Sequence, residues 1–188
     1  MPLRLIIMGP PGVGKGTQAN ILKNTLGIPH LSTGEILRNE IKIGSDIGII
    51  SKTYIDDGLF VPDNILIKII KSHITQSDCK NGYILDGYPR NLQQVANLKE
   101  ILVENNQNID VAISLTAEKN EVIKRLIKRS KDSGRSDDTY EIISKRQDVY
   151  WEQTAPIIEY YQKLDILKEV NGLGTIEEIT HRILEVIK

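Results

Sequence analysis

The segment that most constrains this chain is Gly9-Pro10-Pro11-Gly12-Val13-Gly14-Lys15-Gly16-Thr17, which follows a compact apolar run, Leu3 to Met8. A helical pattern carrying Ala19, Ile21 and Leu22 comes directly after it. Glycines at this spacing let successive backbone N–H groups turn toward one centre without side-chain obstruction. The following helix adds the positive end of its dipole, and Lys15 adds a compact charge within reach of β- and γ-phosphates. The bland alternative is a Gly-rich strand-to-helix turn with an incidental lysine. Four glycines, the lysine and the flanking pattern favour a phosphate-binding loop over Gly12, Val13, Gly14, Lys15, Gly16 and Thr17. Gly16 sets Thr17 one residue beyond the usual hydroxyl position, which weakens a reading of Thr17 as a direct magnesium ligand. The loop predicts a nucleoside triphosphate site and leaves the fate of the γ-phosphate open.

The rest of the chain alternates strand-like and helical patterns. Tyr83 to Asp86 and Val111 to Leu115 read as buried parallel strands like Leu3 to Met8, with Pro29 to Leu31 and Leu167 to Val170 as weaker ones. Leu66, Ile69, Ile70, His73 and Ile74 mark a helix behind an Asp63 cap. Thr175 with Glu178 forms a capping-box pattern, and Asp138 with Glu141 offers another before a long helix from Tyr140, with Pro156 as a kink point. The expected fold is α/β: a five-stranded parallel sheet flanked by helices, of the P-loop NTPase type. At 188 residues the chain suits one domain, and 24 Lys plus Arg against 25 Asp plus Glu gives no pull toward nucleic acid or anionic membrane. No apolar run is long enough to span a bilayer, no secretory signal is evident, and lone Cys79 offers neither an internal disulfide nor a cysteine zinc cluster. A cytoplasmic location is the expectation.

Two further segments sharpen the function. Leu31-Ser32-Thr33-Gly34-Glu35-Ile36-Leu37-Arg38 follows the second strand pattern, and Asp86-Gly87-Tyr88-Pro89-Arg90, with Gln94 four residues on, follows the third. With the phosphate loop, and in this order, they resemble the nucleoside monophosphate kinases, adenylate kinases most closely, from Leu5 to about Gly174. The resemblance implies reversible transfer of the γ-phosphoryl group of Mg-ATP to AMP, giving two ADP. It places Arg90 on the phosphates, makes the Tyr88–Pro89 bond cis, and has Asp86 hold Mg2+ through water. It implies an AMP side of Thr33, Arg38, the backbone of Leu59, Phe60 and Val61, then Gly87, Tyr88, Pro89, Arg90 and Gln94. Thr33 and Gln94 stand where pyrimidine enzymes typically carry alanine and asparagine, and an amide can pair with adenine in a bidentate fashion. Glu35 stands where the family usually has aspartate and is left out of the site. Two plainer roles stay open: Asp86 as a turn cap, and Arg38 in a surface salt bridge to Glu35.

Arg125, Arg129, Arg135 and Arg146 cluster around the polar stretch Ser130 to Asp138. That stretch could be a solvated turn between helices. Arg129 and Arg146, however, fall on apolar helical stripes, where an unpartnered charge is costly. A core ion pair is one solution; phosphate contact accounts for all four together. By the resemblance, Arg129, Arg125 and the Gly174 backbone serve ATP, while Arg135 and Arg146 serve the phosphates from the AMP side. The catalytic set is then Lys15, Arg90, Arg129, Arg135 and Arg146. The implied organisation is a core (residues 1–31, 62–127 and 139–188), an AMP-binding segment 32–61 and a short lid 128–138. Length and the single cysteine point to the short-lid form without zinc, and the family implies a monomer.

Overall fold

The computed structural model describes residues 2–133 and 135–187; Gly134 of the expected lid lies outside the described residues. Five strands, β1 (Leu3–Met8), β2 (His30–Ser32), β3 (Gly82–Asp86), β4 (Val111–Thr116) and β5 (Leu167–Asn171), form one parallel sheet in the order β2-β3-β1-β4-β5. The helices between them are α1 (Lys15–Leu26), α2 (Thr33–Ile43), α3 (Asp46–Asp56), α4 (Asp63–Ile74) and α5 (Leu92–Glu104), followed by α6 (Lys119–Ser133), α7 (Tyr140–Val149), α8 (Pro156–Lys163) and α9 (Ile176–Val186).

Strand residues alternate between two apolar layers, as a sheet covered on both faces requires. Leu5 and Ile7 of β1 pack with Leu22, Ile113 and Ile183, while Ile6 and Met8 pack with Leu85, Leu98 and Ile157 on the other face. Each such fully buried aliphatic side chain stabilises the fold by about 1.5–3 kcal/mol. The register sets the functional edge. Ile7 lies beside Asp86 and Ser32 beside the same Asp86, so the carboxyl ends of β1, β2 and β3 finish at one level. The three motif segments leave the sheet there, where open parallel sheets bind ligands.

Local details depart from the sequence expectations in four places. Strand β2 runs one residue later than Pro29 to Leu31, because Ser32 pairs with Asp86. Asp63 is the first residue of α4 rather than its cap; the N-cap is Pro62, and the Asp63 carboxylate instead accepts from Gln94 Nε2 at 2.7 Å. Asp138 does not cap α7 either. Thr139 does so, accepting from the Ile142 amide, because Asp138 is drawn to two guanidinium groups, a stronger partnership than a neutral cap. The long helix from Tyr140 is broken by a π turn, Tyr150–Thr154, and Pro156 starts α8 rather than kinking one continuous helix.

Candidate active site

The phosphate loop closes on itself through Val13 N–H donating to the Pro10 carbonyl at 3.2 Å. Gly14, at φ 106°, is the N-cap of α1 and supplies no side-chain cap, so the first amides of α1 stay available to an anion. Gly12 is forced for another reason: a Cβ there would fall 2.5 Å from the Val122 carbonyl oxygen, so the loop could not lie flat on α6. Lys15 Nζ donates to the Gly9 and Pro10 carbonyls at 2.7 and 3.2 Å. Loss of hydration, partly offset by Asp86 and reinforced by Arg90, lowers its pKa to about 8. Thr17 is exposed.

Asp86 ends β3 almost fully buried. Burial alone would favour its neutral form, but a hydrogen bond from His30 and the charge of Lys15 outweigh that and hold the carboxyl below its ordinary range. His30 Nε2 lies 3.2 Å from Asp86 Oδ2, and its Nδ1 lies 3.3 Å from Asn20 Oδ1. Thr33 Oγ1 donates to the Gly87 carbonyl at 3.0 Å, which ties the start of α2 to the Asp86–Arg90 loop. The Tyr88–Pro89 bond is cis, as the resemblance implied. In that loop Arg90 is fixed three ways: its N–H donates to Gln94 Oε1 at 2.7 Å, its Nε to the Gly87 carbonyl at 2.7 Å, and its guanidinium sits 5.4 Å from the centre of the Phe60 ring.

Arg129 makes a bidentate pair with Asp138, at 2.7 and 2.6 Å, and Arg146 Nη1 lies 3.0 Å from the same carboxylate and 2.9 Å from Asp137. The ion-pair reading holds for Arg129 and Arg146, and Arg129, Arg135, Arg146 and Asp137 also line the central cavity. Arg125 lies nearer the far end, its Nη1 donating to the carbonyls of Gly172 at 3.0 Å and Val13 at 3.4 Å.

These groups converge on a cavity of about 680 Å³ that runs from Gly174 and Arg125 past the phosphate loop to Thr33, Leu59, Phe60 and Val61. Seven cationic side chains line it: Lys15, Arg38, Arg90, Arg125, Arg129, Arg135 and Arg146. Among the described residues, three carboxylates do so: Glu35, Asp86 and Asp137. Burial, and then the neighbouring Arg146, lowers the Arg90 pKa to about 10; burial together with other guanidiniums also lowers those of Arg38 and Arg135. A cluster that strains its own charges in this way is matched to a polyanion, and the loop at its centre is matched to a nucleoside triphosphate.

Comparison with known proteins agrees. The family described as adenylate kinase matches residues 7–166. The chain belongs to the adenylate kinase family. Among its relatives are adenylate kinases from Leptospira biflexa, 47% identical over 98% of this chain and 99% of the relative, and from Bifidobacterium longum, 45% identical over 97% and 98%. A third, from Pseudarthrobacter chlorophenolicus, is 44% identical over 98% and 96%. The protein is thus a phosphotransferase acting among adenine nucleotides. No helix among the described residues is long and apolar enough to cross a membrane.

Most residues singled out from the sequence come together at this cavity. Tyr88 and Gln94 do not line it; both are buried behind it, Gln94 completely. Sequence reasoning gave no role to His30, to Asp137 and Asp138 as counter-charges, to the Phe60 ring, or to Thr154. His30 precedes the Leu31-Ser32-Thr33 segment directly, but nothing in its spacing announces Asp86, 56 residues away. Gln147 was also unmarked; its Nε2 donates to the Pro11 carbonyl at 2.9 Å and so ties α7 to the phosphate loop.

Proposed function

We propose that the protein transfers the γ-phosphoryl group of Mg-ATP to AMP, reversibly and giving two ADP, and so balances the adenine nucleotide pool. The observation that carries this is one continuous cavity that gathers seven cations among the described residues, six of them between its two ends and Arg125 beside Gly174 at one of them. Phosphoryl transfer needs little covalent help from a protein; it needs two mutually repelling anions held in line with their charge neutralised.

On this reading Gly12 to Thr17 cradle the ATP phosphates, Arg125 and the Gly174 backbone flank its base, and Lys15 and Arg129 hold the β- and γ-phosphates. Arg38 binds the AMP phosphate, while Arg90, Arg135 and Arg146 meet the group in transit. Thr33 and the backbone of Leu59 to Val61 line the pocket for the AMP base, and Gln94, buried behind that wall, meets the base once segment 32–61 rearranges around AMP. Gln94 is already bonded at both ends, but an amide has two N–H donors and two lone pairs, so one of each remains for adenine. Segments 32–61 and 128–138 close over AMP and ATP respectively and exclude water from the transfer.

The residues fit a magnesium ion. Asp86 is an ionised, hard oxygen donor at the end of β3, opposite Lys15, and one carboxylate suits an ion that keeps most of its shell as water and phosphate. Bound there, Mg2+ would neutralise charge on the β- and γ-phosphates. Among the described residues, no group of three or more His, Cys, Asp or Glu could hold a metal by itself. A monomer in the cytoplasm is the corresponding cellular reading.

A coupled assay offering AMP, UMP, CMP and GMP with ATP tests the base assignment. AMP should be preferred by about 10²-fold or more in kcat/KM. A preference for a pyrimidine monophosphate would overturn it.

A further inference from the structure

Helix α7 does not run directly into α8. The π turn Tyr150–Thr154 lies between them, closed by the Ala155 N–H donating to the Tyr150 carbonyl at 2.9 Å. Such turns widen a helix by one residue and recur where a side chain must be re-aimed at a functional site. Here Thr154, 8% exposed, faces the cavity, and its Oγ1 donates to the Arg90 carbonyl at 2.8 Å. Arg90 takes its other bonds from nearby in sequence, from Gln94 at its N–H and Gly87 at its Nε. Thr154, 64 residues away, is the distant one, and it stands on the helical arm that also carries Arg146.

We propose that Thr154 is a positioning residue for phosphoryl transfer, holding the Arg90 backbone so that Arg90 and Arg146 present their guanidiniums to the moving phosphate as one unit. The proposal rests on the reading of Arg90 as a phosphate contact. The physical reason is leverage. A guanidinium hangs on a long flexible stem, so its placement depends on how firmly its own backbone is held. A misplacement of about 1 Å in such a reaction can cost about 10²-fold in rate. A hydroxyl is required: valine has the shape of threonine but leaves the Arg90 carbonyl without this donor.

The test is steady-state kinetics with ATP and AMP on Thr154→Val, Thr154→Ser, Arg90→Ala and the Thr154→Val/Arg90→Ala double variant, each with a melting curve. Thr154→Val should lower kcat about tenfold, with both KM values within about threefold, and Thr154→Ser should recover most of the loss. In the Arg90→Ala background, Thr154→Val should lower kcat by less than about twofold further, as expected for two groups acting through one contact. Equal damage from serine and valine would overturn the proposal. So would a full tenfold loss in the Arg90→Ala background, or a lowered melting temperature with kcat intact. Arg90→Ala at wild-type kcat would overturn the reading of Arg90 itself; a crippled Arg90→Ala beside an unaffected Thr154→Val would overturn the role of Thr154 alone.

Discussion

Lys15 carries the most direct pH dependence. Its ordinary pKa of 10.5 falls to about 8 in the cleft, chiefly through lost hydration, against the attraction of Asp86 and with the repulsion of Arg90, Arg146 and Arg129. The folded state therefore gives up this proton before the unfolded state does. Between about pH 8 and 10.5 the unfolded chain binds more protons, so this group's contribution to stability rises with pH across that window. Below about pH 8 the lysine is charged in both states and contributes no slope. ATP binding runs the opposite way, because phosphate needs the charged form. Affinity for ATP, measured calorimetrically at fixed ionic strength, should hold to about pH 8 and then fall by up to about tenfold per pH unit. In Lys15→Met the affinity should be weaker and the fall absent. A flat wild-type affinity from pH 7 to 9 would contradict the lowered pKa of Lys15, and unchanged affinity in Lys15→Met would contradict its phosphate role.

At the scale of elements, α6, the turn Ser136–Asp138 and α7 are joined by one set of ion pairs. Asp138 binds Arg129 from α6 and Arg146 from α7 at once, so the two helices share one buried counter-charge. Burial works against that carboxylate, but Arg129 and Arg146 keep its pKa below the ordinary value. Arg135 precedes the turn and lines the cavity. Arg135→Ala should therefore lower kcat by about 10²-fold or more while moving the melting temperature by no more than about 2 °C. Parallel losses of rate and melting temperature would make Arg135 a structural residue instead. This element also marks where the sequence stops being legible. Strands β1, β3 and β4 were readable because each is a short apolar run ended by glycine or polar residues, whereas β2 and β5 carry weaker patterns, and the capping box of Thr175 and Glu178 formed because both partners are local. Asp138 carried the same local signature as a cap, but its fate was decided by two arginines brought in by folding. The π turn left no trace in hydrophobic periodicity, and His30 met Asp86 only through the pairing of β2 with β3.

Across the whole molecule, a net charge of −1 conceals a strong internal separation, with seven cations facing one cavity. Binding one nucleotide neutralises part of that cluster; bridging the whole cavity should neutralise most of it and join the two ends of the site. A dinucleotide of two adenosines linked through five phosphates is the matching probe. At about 100 times its dissociation constant it should stabilise the fold by about 2.7 kcal/mol, and a chain of this size shifts by about 2–4 °C per kcal/mol, so the melting temperature should rise by about 5–11 °C. Free adenosine has no charge to offer the cluster and should produce almost none of this shift. The decisive comparison is at equal micromolar concentrations, where the dinucleotide should shift the melting temperature well beyond ATP and AMP added together, since linking makes the second binding event intramolecular. Equal shifts would mean that the two ends of the cavity are not spanned by one ligand, and the in-line arrangement of donor and acceptor would fall with them.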